Sequence, residues 1–239
     1  MPSKLFLHMP KCAGSSVKKM LLECAGDRVV IDNDTLFALP PADRNTVIEA
    51  AAEQPALPPP GKIVYGHFYP VKYLGGGMKP ASAGDDFRMV TILRDPLERM
   101  VSHYRFWQTH EHPENHVWSL MHAGAWSFET FALGAPMQNF YAQYLTRISL
   151  EQFTYIGILE NFPVSVEKCM RVMGVSHESC EIPVENRTRN GIAYPSFNDD
   201  FIDRFVKHHA EDYAIYLHAV RTYHSMHMLP PYLARRLSN

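Results

Sequence analysis

The sequence predicts a three-layer α/β fold in which a mainly parallel central sheet is flanked by helices. Three observations predict it. Apolar runs suited to buried strands recur at residues 5–9, 62–68 and 87–93. Helical apolar spacing follows the first of these runs, and a helix-start signature follows the third. The turns after the runs hold small or charged residues, at the sheet edge where open α/β folds bind ligands. With 239 residues and 46% hydrophobic content, the chain suits one domain spanning 1–239.

The first run, Leu5-Phe6-Leu7-His8-Met9, leads into Pro10-Lys11-Cys12-Ala13-Gly14-Ser15-Ser16, and then Val17, Met20, Leu21 and Cys24 recur at helical spacing. The small-residue turn therefore sits at a helix N-terminus, where unpartnered amides and the positive end of the macrodipole favour a phosphate or sulfate. Gly14 allows close backbone approach, Ser15 and Ser16 add hydroxyl donors, and Lys11 adds a mobile cation. The Walker A order GxxxxGK[ST] is not met, because Lys11 precedes Gly14. An ordinary strand-to-helix turn with a solvated lysine would share these seven letters.

Arg28–Ile31 reads as a short strand and Pro40–Glu53 as a helix, with the proline cluster at 54–61 as a loop. The run 62–68 ends in Gly66-His67, which places a histidine at the carboxyl edge. Residues 75–84 are glycine-rich and read as a flexible loop suited to a lid. After the run 87–93, Asp95 fits a helix N-cap, Pro96 the first helical position and Glu98 the third position of a capping box. Arg94 is thereby fixed at a strand tip, able to grip a phosphate bidentately, with Ser102 two turns along the helix to donate a further bond. A salt bridge from Arg94 to Asp95 or Glu98 is the competing use. A strand at 155–159, a helix at 162–173 and a helical stretch at 201–227 with a break near His208 and His209 follow, ended by Pro230-Pro231 and a basic tail.

Charge and composition exclude several classes. The net charge of −2 gives no reason to expect nucleic acid or a highly sulfated polymer as partner. No stretch approaches the ~20 apolar residues of a membrane span, and no signal peptide is read, so a soluble, cytoplasmic protein is expected. Cys12, Cys24, Cys169 and Cys180 form no C-x-x-C pair and are expected as reduced thiols, with the Cys12 pKa lowered beside Lys11. Between Tyr104 and Tyr144 aromatic residues are dense; most read as core and a minority as walls of an acceptor pocket. His110, His112, His116 and His122 share that region, but with no nearby cysteine and a single i,i+4 pair they predict no metal site.

Taken together, PKCAGSS after the first strand, YGH at the end of a middle strand and RDPLERMVSHY after the next resemble the sulfotransferases that use 3′-phosphoadenosine 5′-phosphosulfate. The resemblance is closest to their carbohydrate branch, of the heparan sulfate 2-O-sulfotransferase type. Tyr155–Glu160, Asn186-Arg187-Thr188 and Asp212–Tyr216 are similar to later segments of the family. The resemblance implies a three-layer, P-loop-like fold. It implies that Lys11, Cys12, Ala13, Gly14, Ser15 and Ser16 bind the 5′-phosphosulfate and that Arg94 and Ser102 bind the 3′-phosphate. Arg187 in the late loop would add to the cofactor site, and His67 would be the catalytic base. The implied reaction is in-line sulfuryl transfer to an acceptor hydroxyl on a sugar, a lipid-linked or a phenolic molecule. It leaves adenosine 3′,5′-bisphosphate and needs no metal, since a sulfuryl group carries less charge than a phosphoryl group and Lys11 can neutralise the leaving oxygen. Two other readings remain open at this point: a P-loop kinase acting on a small molecule, and a non-catalytic nucleotide-binding module. The oligomeric state is not legible.

Overall fold

The computed structural model describes residues 4–34, 36, 39–75, 87–176 and 197–238. Five strands carry the architecture: β1 (Lys4–Leu7), β2 (Val29–Ile31), β3 (Ile63–Gly66), β4 (Arg88–Leu93) and β5 (Tyr155–Ile158). All neighbouring pairs are parallel, in the order β2-β3-β1-β4-β5. Parallel neighbours need crossover connections, and helices supply them: α1 (Gly14–Ala25), α2 (Pro41–Glu53), α3 (Val71–Leu74), α4 (Pro96–Thr109), α5 (His116–Ala123), α6 (Phe128–Ala132) and α7 (Phe140–Tyr144). After β5 come α8 (Phe162–Val172), α9 (Asp199–His208), α10 (Ala210–Tyr223) and α11 (Pro231–Leu237).

Alternation along the strands divides the interior into two layers of contact. Leu5, Leu7, Val64, Met89, Leu93, Ile156 and Ile158 point to one face and pack with side chains of α4, α6, α7, α9, α10 and α11. Phe6, Ile63, Tyr65, Val90, Ile92 and Tyr155 point to the other, against α1 and α8. Helices thus cover both faces of the parallel sheet, which is the three-layer arrangement the sequence predicts.

The strands predicted at 5–9, 28–31, 62–68, 87–93 and 155–159 are all present, shortened by a residue or a few. The helical stretch after residue 200 breaks at His209, as expected, between α9 and α10. The C-terminal tail is not merely a basic extension. Its residues 231–237 form α11, which buries Leu233 against the larger core. The aromatic segment joins the core: Trp107, Phe131, Phe140, Tyr141 and Tyr144 are buried, and Tyr104, Phe106, Trp118, Trp126 and Phe128 are half-buried against it.

The cysteine expectations need correcting. Cys12 and Cys169 are free and buried, but Cys24 is disulfide-bonded. A bonded Cys24 departs from the expectation of reduced thiols. Among the described residues no helix is long and apolar enough to cross a membrane.

Candidate active site

The chain leaves β1 for β2 on one side and later returns to β4 on the other, so β1 sits where the winding reverses. In such sheets the crevice opens at the carboxyl ends of the strands beside that point. Those ends belong to β3, β1 and β4, and they carry His67, the loop 10–16 and Arg94 respectively. Charges across them are close enough to interact. Burial lowers the Lys11 and His67 pKa values, and the Arg94 charge adds to the first and the Lys11 charge to the second.

The loop after β1 is held in an unusual backbone state. Lys11 and Ala13 both adopt positive φ, at 68° and 59°, a left-handed conformation that non-glycine residues avoid. Ala13 occupies the N-cap of α1 without a side-chain cap, and no acidic residue lies in the first turn. The first amides of α1 therefore face the crevice with the positive end of the helix behind them. Ser16 is buried and Ser15 exposed. The close approach that Gly14 allows is to a side chain of this same chain: a Cβ there would lie 1.6 Å from Nε2 of His8. Its carbonyl accepts a hydrogen bond from the Tyr65 hydroxyl at 2.7 Å. Lys11 Nζ lies 3.7 Å above the Phe106 ring on α4. Burial, reinforced by the Arg94 charge, lowers the Lys11 pKa to about 8.

His67 is half-buried and stacked on His8, their ring centroids 4.1 Å apart. Its Nδ1 is 2.8 Å from the His8 carbonyl oxygen. A carbonyl only accepts, so the neutral imidazole carries its proton on Nδ1 and keeps its lone pair on Nε2. Burial lowers the His67 pKa below the usual histidine value, against the opposing effect of that hydrogen bond. The backbone beneath it is fixed from the loop after β2: the His67 amide donates to Asn33 Oδ1, and the Asp34 amide donates to the His67 carbonyl. Lys72 on α3 ties that loop down by bonding Asp32 and Asp34 at 2.8 and 3.0 Å.

Arg94 leaves the tip of β4, and its guanidinium is paired with Glu98 at 3.1 Å. Here the competing use of the arginine, a salt bridge to Glu98, is the one present. Asp95 is the N-cap, accepting from the Glu98 amide at 3.0 Å, as its letters predict. The box does not close reciprocally. The Asp95 amide donates instead to Glu160 Oε1, at 2.8 Å, beyond the end of β5. The fully buried Asp95 carboxylate also accepts from the Tyr232 hydroxyl at 2.6 Å, and burial raises its pKa to about 7. Cys12 reverses its expectation. Complete burial pushes its thiol up to about 11, overriding the nearby arginines.

No protein-family model matches the chain, and no curated protein matches it in sequence. Among solved structures, a sulfotransferase from Alicyclobacillus acidocaldarius superposes with a TM-score of 0.48 at 15% identity, covering 95% of this chain and 98% of that one. Mouse sulfotransferase SULT7A1, solved in complex with PAP, aligns with a TM-score of 0.37 at 10% identity, over 86% of this chain and 62% of the mouse protein. Likeness at this level leaves function to the chemistry of the site itself.

Of the residues singled out in the sequence, Lys11, Cys12, Ala13, Gly14, Ser15, Ser16, His67 and Arg94 come to the same sheet edge, and half-buried Ser102 lies two turns along α4. Arg187, the rest of the 186–189 loop and the glycine-rich loop beyond Gly75 lie outside the described residues. Three of the four histidines of 110–122 make local contacts: His110 and His112 pack on the Phe106 ring, His112 also faces Glu114, and His122 bonds the Trp107 carbonyl. Sequence reasoning missed His8, Arg99, Tyr141, Glu160 and Asp212. Arg99 is wholly buried, its guanidinium 4.0 Å from the Phe140 ring centroid and 3.1 Å from His103 Nδ1. Its place in RDPLER was the available signal, but adjacency to Arg94 drew the functional reading to the first arginine alone.

Proposed function

We propose that this chain transfers a sulfuryl group from 3′-phosphoadenosine 5′-phosphosulfate to an acceptor hydroxyl. The observation that carries the reading is the convergence of an uncapped helix start with Lys11, a tautomer-fixed His67 and Arg94 at the carboxyl ends of three adjacent strands. The residues present fit the donor. Free amides and Lys11 suit its 5′ end, and the Glu98 contact of Arg94 is weak enough to be exchanged for a phosphate. It is a single N–H···O contact between half-buried side chains, which a bidentate arginine–phosphate contact can displace.

In this mechanism Nε2 of His67 accepts the proton of the acceptor hydroxyl, its Nδ1–H held throughout by the His8 carbonyl. When bound, the donor supplies the sulfuryl group: its sulfur bonds to the acceptor oxygen as the bond from sulfur to the phosphate oxygen breaks. Lys11 and the first amides of α1 carry the charge that grows on that departing oxygen. Lys11 rests on Phe106 beforehand, which holds the ammonium beside the loop while leaving its N–H groups for an anion. Arg94, with Ser102, takes the 3′-phosphate, and Arg187 is assigned to the same cofactor.

Calorimetry in metal-free buffer tests the reading by comparing adenosine 3′,5′-bisphosphate with ATP plus magnesium. The bisphosphate is expected to bind more tightly, and Arg94→Ala to weaken it by about 2–4 kcal/mol, as for one member of a desolvated charge pair. Preferential binding of ATP with magnesium would turn the reading toward a kinase. Unchanged affinity in the variant would take Arg94 out of the site.

A further inference from the structure

The geometry points to Tyr141 as a positioning residue for the donor site: its hydroxyl locks the tip of β4 to the loop after β1, setting where the Arg94 guanidinium stands relative to the amides of α1. This inference rests on the function proposed above. The Tyr141 side chain is completely buried on α7. Its hydroxyl donates to the Arg94 carbonyl at 2.7 Å and accepts from the Arg94 amide at 3.1 Å. The Cys12 sulfur lies 3.5 Å from the same oxygen, within hydrogen-bond reach. One oxygen therefore joins both backbone groups of the residue assigned to the 3′-phosphate with the loop assigned to the 5′-phosphosulfate.

Nothing else described satisfies those two groups of Arg94. Its amide and carbonyl lie just past the last paired residue of β4, where the ladder to β5 ends at Leu93. The next amide, that of Asp95, is held by Glu160, and the Asp95 carboxylate by the Glu98 amide and Tyr232. The strand tip is thus pinned at successive positions, and Tyr141 is the pin that also reaches the other anion-binding loop. Tyr141 is itself fixed from α10, whose Asp212 accepts from the Tyr141 amide at 2.7 Å. A core that only needed to fill space would be served by phenylalanine here, since the ring already packs against Arg99 and the surrounding apolar side chains.

Tyr141→Phe keeps the ring and removes the hydroxyl. The measurement is the affinity ratio between adenosine 3′,5′-bisphosphate and adenosine 5′-monophosphate, which isolates the contribution of the 3′-phosphate. In the unaltered protein that ratio is expected to be large. In Tyr141→Phe it should fall roughly tenfold, the scale set by leaving a buried donor and acceptor unpaired, while the monophosphate affinity changes less. Tyr144→Phe, on the same helix and stacked on Tyr69, is expected to preserve the ratio. A preserved ratio in Tyr141→Phe, or an equal loss in both tyrosine variants, overturns the assignment. If the unaltered protein shows no preference for the bisphosphate, it is the proposed function that fails, so the two failures are distinguishable. Should Tyr141→Phe not fold, hydrogen exchange on the unaltered, ligand-free protein decides. An Arg94 amide protected like those inside β4 supports the lock, and one exchanging like exposed loop amides removes it.

Discussion

His67 and Lys11 are tuned in the same direction by burial, yet the proposed reaction needs them in opposite protonation states. Burial lowers the His67 pKa, so the imidazole is neutral and able to take a proton across the neutral range. Burial and Arg94 lower the Lys11 pKa to about 8, so the ammonium persists only up to that point. The base works deprotonated, and its activity is lost as pH falls through the lowered histidine value. The lysine works protonated, and its activity is lost as pH rises through about 8. The expected profile of kcat/KM, which reports the free enzyme, is therefore a bell with its alkaline limb near 8. His67→Ala should cost at least ~100-fold in turnover and abolish the acid limb. Lys11→Arg should move the alkaline limb upward, because a guanidinium does not deprotonate in this range. Limbs left in place by both variants would assign the two titrations to other groups.

Helix α7 shows how an element with no start signal of its own is made. Asn139 at its N-cap sits at positive φ and offers no side-chain cap. The cap comes from α10 instead, where Asp212 Oδ1 accepts from the Tyr141 and Ala142 amides at 2.7 and 3.2 Å. Buried Arg99 supplies the nearby positive charge. Asp212→Ala should destabilise the fold by about 3–5 kcal/mol, the cost of stranding a buried charge and two amides. Burial raises the Asp212 pKa to about 7, so its contribution to stability is complete at acid pH and is lost as pH rises through that value. Asp212→Asn keeps an acceptor but no titration, and its deficit relative to the unaltered protein should shrink between about pH 5 and pH 8. Denaturant unfolding of both variants at the two pH values measures this, and a deficit independent of pH would place the titration elsewhere. The contrast with α4 explains what was legible. Asp95, Pro96 and Glu98 are neighbours in sequence and spell out a helix start that the structure contains. Asp212 stands some seventy residues from the amides it caps, and no local pattern encodes that partnership. For the same reason the loop 10–16, His67 and Arg94 could be singled out as candidates from the chain alone, whereas His8, Tyr141 and Glu160 acquire meaning only once β1, β3, β4 and β5 lie side by side. The Cys12 error has the same root, since the letters show a lysine and a helix start but not the complete burial of the thiol.

At the scale of the whole molecule, the distribution of charge bears on the acceptor. The chain holds 23 lysines and arginines against 25 aspartates and glutamates. A polysulfated acceptor would need a groove lined by cations free to meet it. Many of the described cations are instead neutralised where they stand: Lys72 by Asp32 and Asp34, Arg204 by Glu129 and Asp200, Arg236 by Asp199 and Asp203, and Arg171 by Glu167. Arg99 is buried in the core, and Lys11 and Arg94 are assigned to the donor. Close to Lys11 the crevice wall is aromatic rather than basic, with Phe106 beneath the ammonium and His110 and His112 against that ring. Such a wall suits the flat face of a neutral sugar or phenol better than a polyanion. Long-range attraction cannot substitute for local pairing, because exposed charges are screened within about 10 Å at 0.1 M salt. Competition at physiological salt should therefore show little inhibition by heparin, and measurable inhibition by neutral glycans or by small alcohols and phenols. Tight inhibition by heparin, with neutral compounds inert, would show that the acceptor is a polyanion held by cations these contacts do not account for.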